Sequence, residues 1–102
     1  AIMRDLLFVD DCIEAVLKLA VSPSAMNSVF NIGSGHIVSI ADVATAAVGA
    51  SGERGVEIVD LEQNIENSPT ALIADISRVQ ATIDWSPKTN LEEGLRKMWN
   101  AM

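Results

Sequence analysis

The sequence contains no tyrosine, one cysteine, one histidine and three prolines, and its only aromatic residues are Phe8, Phe30, Trp85 and Trp99. A single cysteine closes no disulfide within the chain, and with one histidine it completes no zinc site. That usage fits a reducing compartment, so a cytoplasmic location is expected. Positive charge is as scarce. Seven Lys and Arg stand against 14 Asp and Glu, for a formal net charge of −7. No cation falls between Arg4 and Lys18, between Lys18 and Arg54, or between Arg54 and Arg78. A binder of phosphate backbones needs clustered cations, which excludes nucleic acid as an expected partner and an anionic membrane surface with it. No apolar run approaches the ~18 residues of a membrane span, and no basic, apolar leader opens the chain.

What is present is aliphatic. Hydrophobic residues make up 49% of the 102 positions before the six glycines are added, which excludes disorder. The length suits one domain over residues 1–102. So much apolar surface in so small a chain implies faces that expect a partner. The strand-like opening suggests a piece of a longer protein.

Leu6-Leu7-Phe8-Val9 is a short, wholly apolar run of the kind found in a strand covered on both faces. Asp10 and Asp11 follow as caps for a helix that carries Ile13, Val16, Leu17 and Ala20 and closes near Ser22-Pro23. Val29 to Ile32 reads as a second strand, ended by Gly33-Ser34-Gly35. Ser39 with Asp42 forms a capping-box variant before Ile40, Val43, Ala44, Ala47 and Val48, with Gly49 and Gly52 ending that helix. Val56 to Asp60 reads as a third strand, 61–70 as a loop, and Ala71 to Ala74 as a short extended run. Asp75 caps a helix with Ile76, Val79 and Ile83, stopped by Trp85-Ser86-Pro87. Asn90 and Glu93 open a last helix whose Leu91, Leu95, Met98 and Met102 share a face. The order is β-α-β-α-β-(β)-α-α, an α/β class with mixed α+β as the variant, and helices between strands favour parallel pairing.

No catalytic constellation emerges from spacing alone. Gly33-Ser34-Gly35-His36 sits between a strand and a helix, but the third glycine of a dinucleotide loop and a P-loop lysine are absent, so a tight turn is the favoured reading. His36 has no acid or cysteine at metal-ligand spacing and reads as an exposed turn residue. Cys12, at a helix start, reads as apolar filler ahead of a stabilised thiolate. Trp85, Pro87 and Trp99 read as core and helix-stop residues. Arg4 has two readings. Its guanidinium could fork onto a phosphate or carboxylate, or form a surface ion pair with Asp5 or a neighbouring acid.

Taken in order, several phrases resemble one family: Arg4-Asp5-Leu6-Leu7-Phe8-Val9-Asp10-Asp11, Val29-Phe30-Asn31-Ile32-Gly33-Ser34-Gly35, Val38-Ser39-Ile40, Ala74-Asp75-Ile76-Ser77-Arg78, Trp85-Ser86-Pro87-Lys88-Thr89 and Leu91-Glu92-Glu93-Gly94-Leu95. They are similar to the C-terminal third of the extended short-chain dehydrogenases, the NAD-dependent epimerase/dehydratase family. The resemblance implies a nucleotide-sugar substrate, NAD or NADP as cofactor of the whole protein, and an N-terminal dinucleotide-binding domain as the missing partner. It implies substrate binding by Arg4, matching the family arginine that contacts the substrate diphosphate. The family's glycine-rich cofactor loop is not in this sequence, and its Tyr-x-x-x-Lys pair is impossible without tyrosine. The expectation is therefore a chain with no catalytic, cofactor-binding or metal-ligating residues, neither holding NAD tightly nor turning over substrate. The position of the family's second phosphate-binding arginine is Ile65, followed by Asn67-Ser68. Val29 to Ile32 resembles a strand that would join the missing domain's sheet, which implies self-association of the chain alone. The competing reading is a stand-alone, non-catalytic α/β binding or interaction module.

Overall fold

The computed structural model describes residues 2–59 and 71–102. Three strands of two residues each, Met3–Arg4 (β1), Val38–Ser39 (β2) and Ala71–Leu72 (β3), form one sheet in the order β2-β1-β3. Arg4 pairs with Val38 across an antiparallel ladder and with Leu72 across a parallel one. The helices are Val9–Ala20 (α1), Ile40–Ser51 (α2), Ser77–Thr82 (α3) and Leu91–Asn100 (α4). A 3-10 turn at Pro23–Ala25 follows α1, and α2 lies against α4. The α/β class holds, but among the described residues the parallel pairing expected from helices between strands is met only by β1 and β3, since β2 runs antiparallel to β1.

Several sequence signals act as expected. Ser39 Oγ accepts from the Asp42 amide at 3.0 Å, and Asp42 accepts from the Ser39 amide at 3.4 Å, completing the capping box of α2. Gly52 closes that helix in the left-handed region, at φ 67°. Asn90 Oδ1 accepts from the Glu93 amide at 2.8 Å and so caps α4. Asp75 Oδ1 accepts from the Ser77 amide at 3.0 Å as α3 begins, although the cap position itself is Ile76.

The strands depart from the expectation. The first lies at Met3–Arg4, and Val9, predicted to end it, already belongs to α1. Val29 to Ile32 and residues 56–59 enter no ladder, while Asp60 and the loop 61–70 lie outside the described residues. The reason is shared. An apolar run becomes a strand only where a neighbour supplies backbone partners, and the short sheet offers none beyond its two-residue ladders. Val29 to Ile32 is held instead by a side chain, with Arg78 Nη1 donating to the Val29 carbonyl at 3.1 Å and its guanidinium lying 5.3 Å from the centre of the Phe30 ring.

Asp10 and Asp11 do not cap α1. Phe8 occupies the cap position without a side-chain bond, and both acids lie within the first turn. There they still oppose the helix dipole, but Asp11 is buried and has another role. Its Oδ2 accepts from the Lys88 amide at 3.1 Å and the Thr89 amide at 3.0 Å, while its own carbonyl accepts from Trp85 Nε1 at 2.9 Å. Asp11 thus fastens both ends of the Trp85-Ser86-Pro87-Lys88-Thr89 connection, a segment that has no ladder of its own. Glu14 bridges Lys18 at 2.9 Å and Lys88 at 3.0 Å along the same side of α1.

The core is small. Ala15, Val79 and Trp85 are the buried hydrophobic residues among those described, with Leu7, Leu19, Phe30, Ile32, Ile76 and Ile83 packed around them. Trp99, expected inside, is 43% exposed. The molecule extends 51 × 36 × 17 Å, and its radius of gyration of 16.3 Å exceeds the about 13 Å of a compact domain of this length. It is a slab.

Asp11→Ala should be among the most damaging substitutions. Two amides of the 88–89 segment lose their acceptor in a partly buried setting, a cost of about 1–3 kcal/mol. Urea unfolding monitored by tryptophan fluorescence checks this, since Trp85 reports on the same contact. A loss below about 0.5 kcal/mol would show that the clamp is dispensable.

Candidate functional site

Arg4, like Met3, sits on the central strand with a ladder partner on each side. Its side chain is half-buried, and Nη1 donates to the Met3 carbonyl at 2.8 Å. A cleft of about 710 Å³ lies beside it, lined among others by Leu6, Ser34, His36, Val38, Lys88 and Thr89. Arg4 itself lies outside that lining. Its cross-strand partner Val38 belongs to it, however, and directly opposed residues share one face of a sheet. His36, read as an exposed turn residue, thus faces a concave surface together with Lys88. Glu14 holds Lys88 in its charged form, raising its pKa from the ordinary value.

The chain immediately after Arg4 is fixed by a feature that sequence reasoning missed. Asp5 Oδ1 accepts from the Ser34 amide at 2.8 Å and from the Ser34 hydroxyl at 2.5 Å. Its Oδ2 accepts from the Gly35 amide at 3.0 Å and the Ala74 amide at 3.1 Å. One carboxylate therefore ties β1 to the 33–35 turn and to the segment that follows β3. The packing leaves no spare room, because a Cβ on Gly33 would stand 2.5 Å from Ala74 Cβ and 2.9 Å from Asp5 Oδ2. A glycine is needed there for close approach. The available signal was an acid next to Arg4 combined with a Gly-Ser-Gly turn 30 residues later, but nothing in linear spacing says that the two meet.

This geometry decides the phosphate-loop question. The backbone donors of Ser34 and Gly35 point at the chain's own carboxylate, so the turn does not fit a dinucleotide phosphate. Among the described residues no three His, Cys, Asp or Glu side chains gather in a way that could hold a metal, and no helix is long and apolar enough to cross a membrane. Cys12 is half-buried beside the Asp11 clamp. Ile65 and Asn67-Ser68, the position of the second arginine phrase, lie outside the described residues.

Partial burial pushes the Asp5 carboxyl upward, but the Ser34 hydroxyl and the amides of Ser34, Ala74 and Gly35 outweigh it, and the net displacement is below the ordinary 3.8. A carboxyl whose pKa is lower folded than unfolded stabilises the fold at neutral pH. That contribution disappears as the pH falls through the carboxylate range, about 4, and below. Asp5→Asn should therefore lower stability at pH 7 by about 1–3 kcal/mol and flatten the acid limb of the stability profile. Thermal melts of both proteins from neutral to strongly acidic pH check this, and parallel acid limbs would show that Asp5 carries no such linkage.

No protein-family profile matches the chain. Individual proteins do. The chain is 32% identical over 98 residues to a GDP-L-fucose synthase of Sinorhizobium fredii, covering 96% of this chain and 30% of that protein. It is 25% identical over 92 residues to an uncharacterized UDP-glucose epimerase of Bacillus subtilis, covering 90% and 28%. The crystal structure of UDP-glucuronic acid 4-epimerase from Bacillus cereus, in complex with NAD, superposes with a TM-score of 0.74 at 27% identity, covering 96% of this chain and 29% of that one. The chain thus spans less than a third of the length of these relatives, while each match takes in nearly all of it. In sequence and fold it corresponds to the C-terminal portion of an extended short-chain dehydrogenase/reductase of the epimerase/dehydratase type.

Proposed function

We propose that the chain is the substrate-binding part of an NAD(P)-dependent nucleotide-sugar epimerase or dehydratase, with Arg4 holding the substrate diphosphate. The observation that carries this reading is the match over nearly the whole chain to proteins whose names specify nucleotide-sugars, together with an arginine secured on the central strand. A planar, permanently charged guanidinium suits a diphosphate, whose oxygens it can engage in pairs. Redox chemistry and the acid–base tyrosine belong to the part of such a protein that these residues do not include, so the chain alone turns over no substrate. Ligand-observed NMR with UDP-glucose, dTDP-glucose and GDP-mannose tests the assignment. Arg4→Ala should weaken binding of the preferred compound by about tenfold or more, as expected for a lost charge-assisted contact. Equal affinity in the two proteins would remove Arg4 from the site.

The same reading supplies a partner for α1. Asp11, Glu14, Ala15 and Lys18 occupy the side of that helix turned toward the 84–89 segment, and Lys18 Nζ donates to the Asp84 carbonyl at 2.5 Å. On the opposite side Val9, Ile13, Val16 and Leu17 recur at helical spacing, each at least half exposed. An amphipathic helix with its apolar stripe outward is unfinished, and the dinucleotide-binding part of the protein is the proposed cover. Without that cover, self-association should bury the stripe. Sedimentation velocity of the chain should show dimers or larger species, shifted toward monomer by Leu17→Glu. A monomer at all concentrations, with no response to that substitution, would count against the stripe as an interface.

A further inference from the structure

We propose that Asp5 is the positioning residue of the Arg4 anion site, fixing the guanidinium without touching the ligand. The inference rests on the diphosphate reading of Arg4 given above. Its basis is the sequence adjacency of two charged residues with different tasks. The Arg4 backbone is held by two ladders, but each ladder is only two residues long and ends at Arg4. Beyond it the chain runs without a ladder through residues 5–8 into α1. What stops β1 from fraying at that point is the Asp5 carboxylate, bound by three backbone amides and one hydroxyl from two distant segments. Those segments carry the neighbours of Arg4. The 33–35 turn leads into β2, which presents Val38 opposite Arg4, and Ala74 lies two residues beyond Leu72, its parallel partner. Asp5 thus gathers the three strands at the one residue that faces the anion.

A long, flexible cation binds a diphosphate well only when its base is immobile, because ordering it at the moment of binding weakens affinity. The close fit of Gly33 against Ala74 and Asp5 makes the junction stiff. Loosening the clamp therefore weakens recognition of the charged part of the ligand and leaves recognition of its uncharged part unchanged.

A double-mutant cycle in the intact chain tests this, with the unaltered protein, Arg4→Ala, Asp5→Asn and the double variant each titrated with UDP-glucose, dTDP-glucose and GDP-mannose. The matching nucleosides (uridine, thymidine and guanosine) serve as uncharged probes. Ser34→Ala, which leaves the three amides on Asp5 and removes the hydroxyl donor together with the Ser34 Oγ bonds to the His36 backbone, is the milder second variant should Asp5→Asn fail to fold. Asp5→Asn is expected to weaken sugar-nucleotide binding by about threefold to tenfold where Arg4 is present and to have no further effect where it is absent. Nucleoside binding should not change, and Ser34→Ala should fall between. Equal losses in both Arg4 backgrounds, or a parallel loss of nucleoside binding, would reduce Asp5 to a general structural residue and overturn the proposal. A loss on Arg4→Ala with none on Asp5→Asn or Ser34→Ala overturns it while leaving the Arg4 assignment standing. Arg4→Ala without effect overturns the assignment itself and this proposal with it.

Discussion

Two buried or half-buried carboxylates acting as acceptors for irregular backbone hold this molecule together. Asp5 receives the amides of Ser34, Gly35 and Ala74, and Asp11 receives those of Lys88 and Thr89. Each bond joins residues at least 29 positions apart in the chain. Backbone donors in a folded interior must find acceptors, and in most α/β domains a long sheet provides them. Here each strand is two residues long, so ladders satisfy very little. An ionised carboxylate is the stronger substitute, since hydrogen bonds to a charged acceptor contribute more than neutral ones. The 33–35 turn, the segment after β3 and the connection into α4 are held by these two side chains.

The same economy of regular structure explains the shape. Three buried hydrophobic residues among those described cannot close a core around four helices, and much of the apolar content lies on surfaces. On α1 the arrangement is inverted. Its charged side faces the rest of the chain because Asp11 and Glu14 have partners there, which leaves Val9, Ile13, Val16 and Leu17 outward. The relatives that the chain matches over nearly its whole length are more than three times as long.

The site follows from the frame. Arg4 belongs to the middle strand, and the residue after it is the clamp. The Gly33-Ser34-Gly35 turn, which in sequence looks like a cradle for phosphate, is filled by the protein's own anion. A cleft lined by Val38 and Ser34 lies on the β2 side of the sheet.

What could be read in the linear chain was local. The capping box of Ser39 and Asp42, the Asn90 cap, the left-handed Gly52, the α/β class and the candidacy of Arg4 depend on residues a few positions apart or on ordered phrases, and all of the structural ones among them recur in the fold. What the chain could not disclose was where apolar runs would find partners and where carboxylates would point. Leu6 to Val9 and Val29 to Ile32 have the composition of strands yet lack a neighbour to pair with. Asp11 has the position of a cap yet reaches a segment 77 residues away, and Asp5, beside the obvious cation, reaches turns 29 and 69 residues away. Propensity and capping are properties of neighbouring dihedrals and so are written in sequence. Pairing and long-range acceptance depend on which segments tertiary packing brings within three ångströms, and only the folded chain determines that.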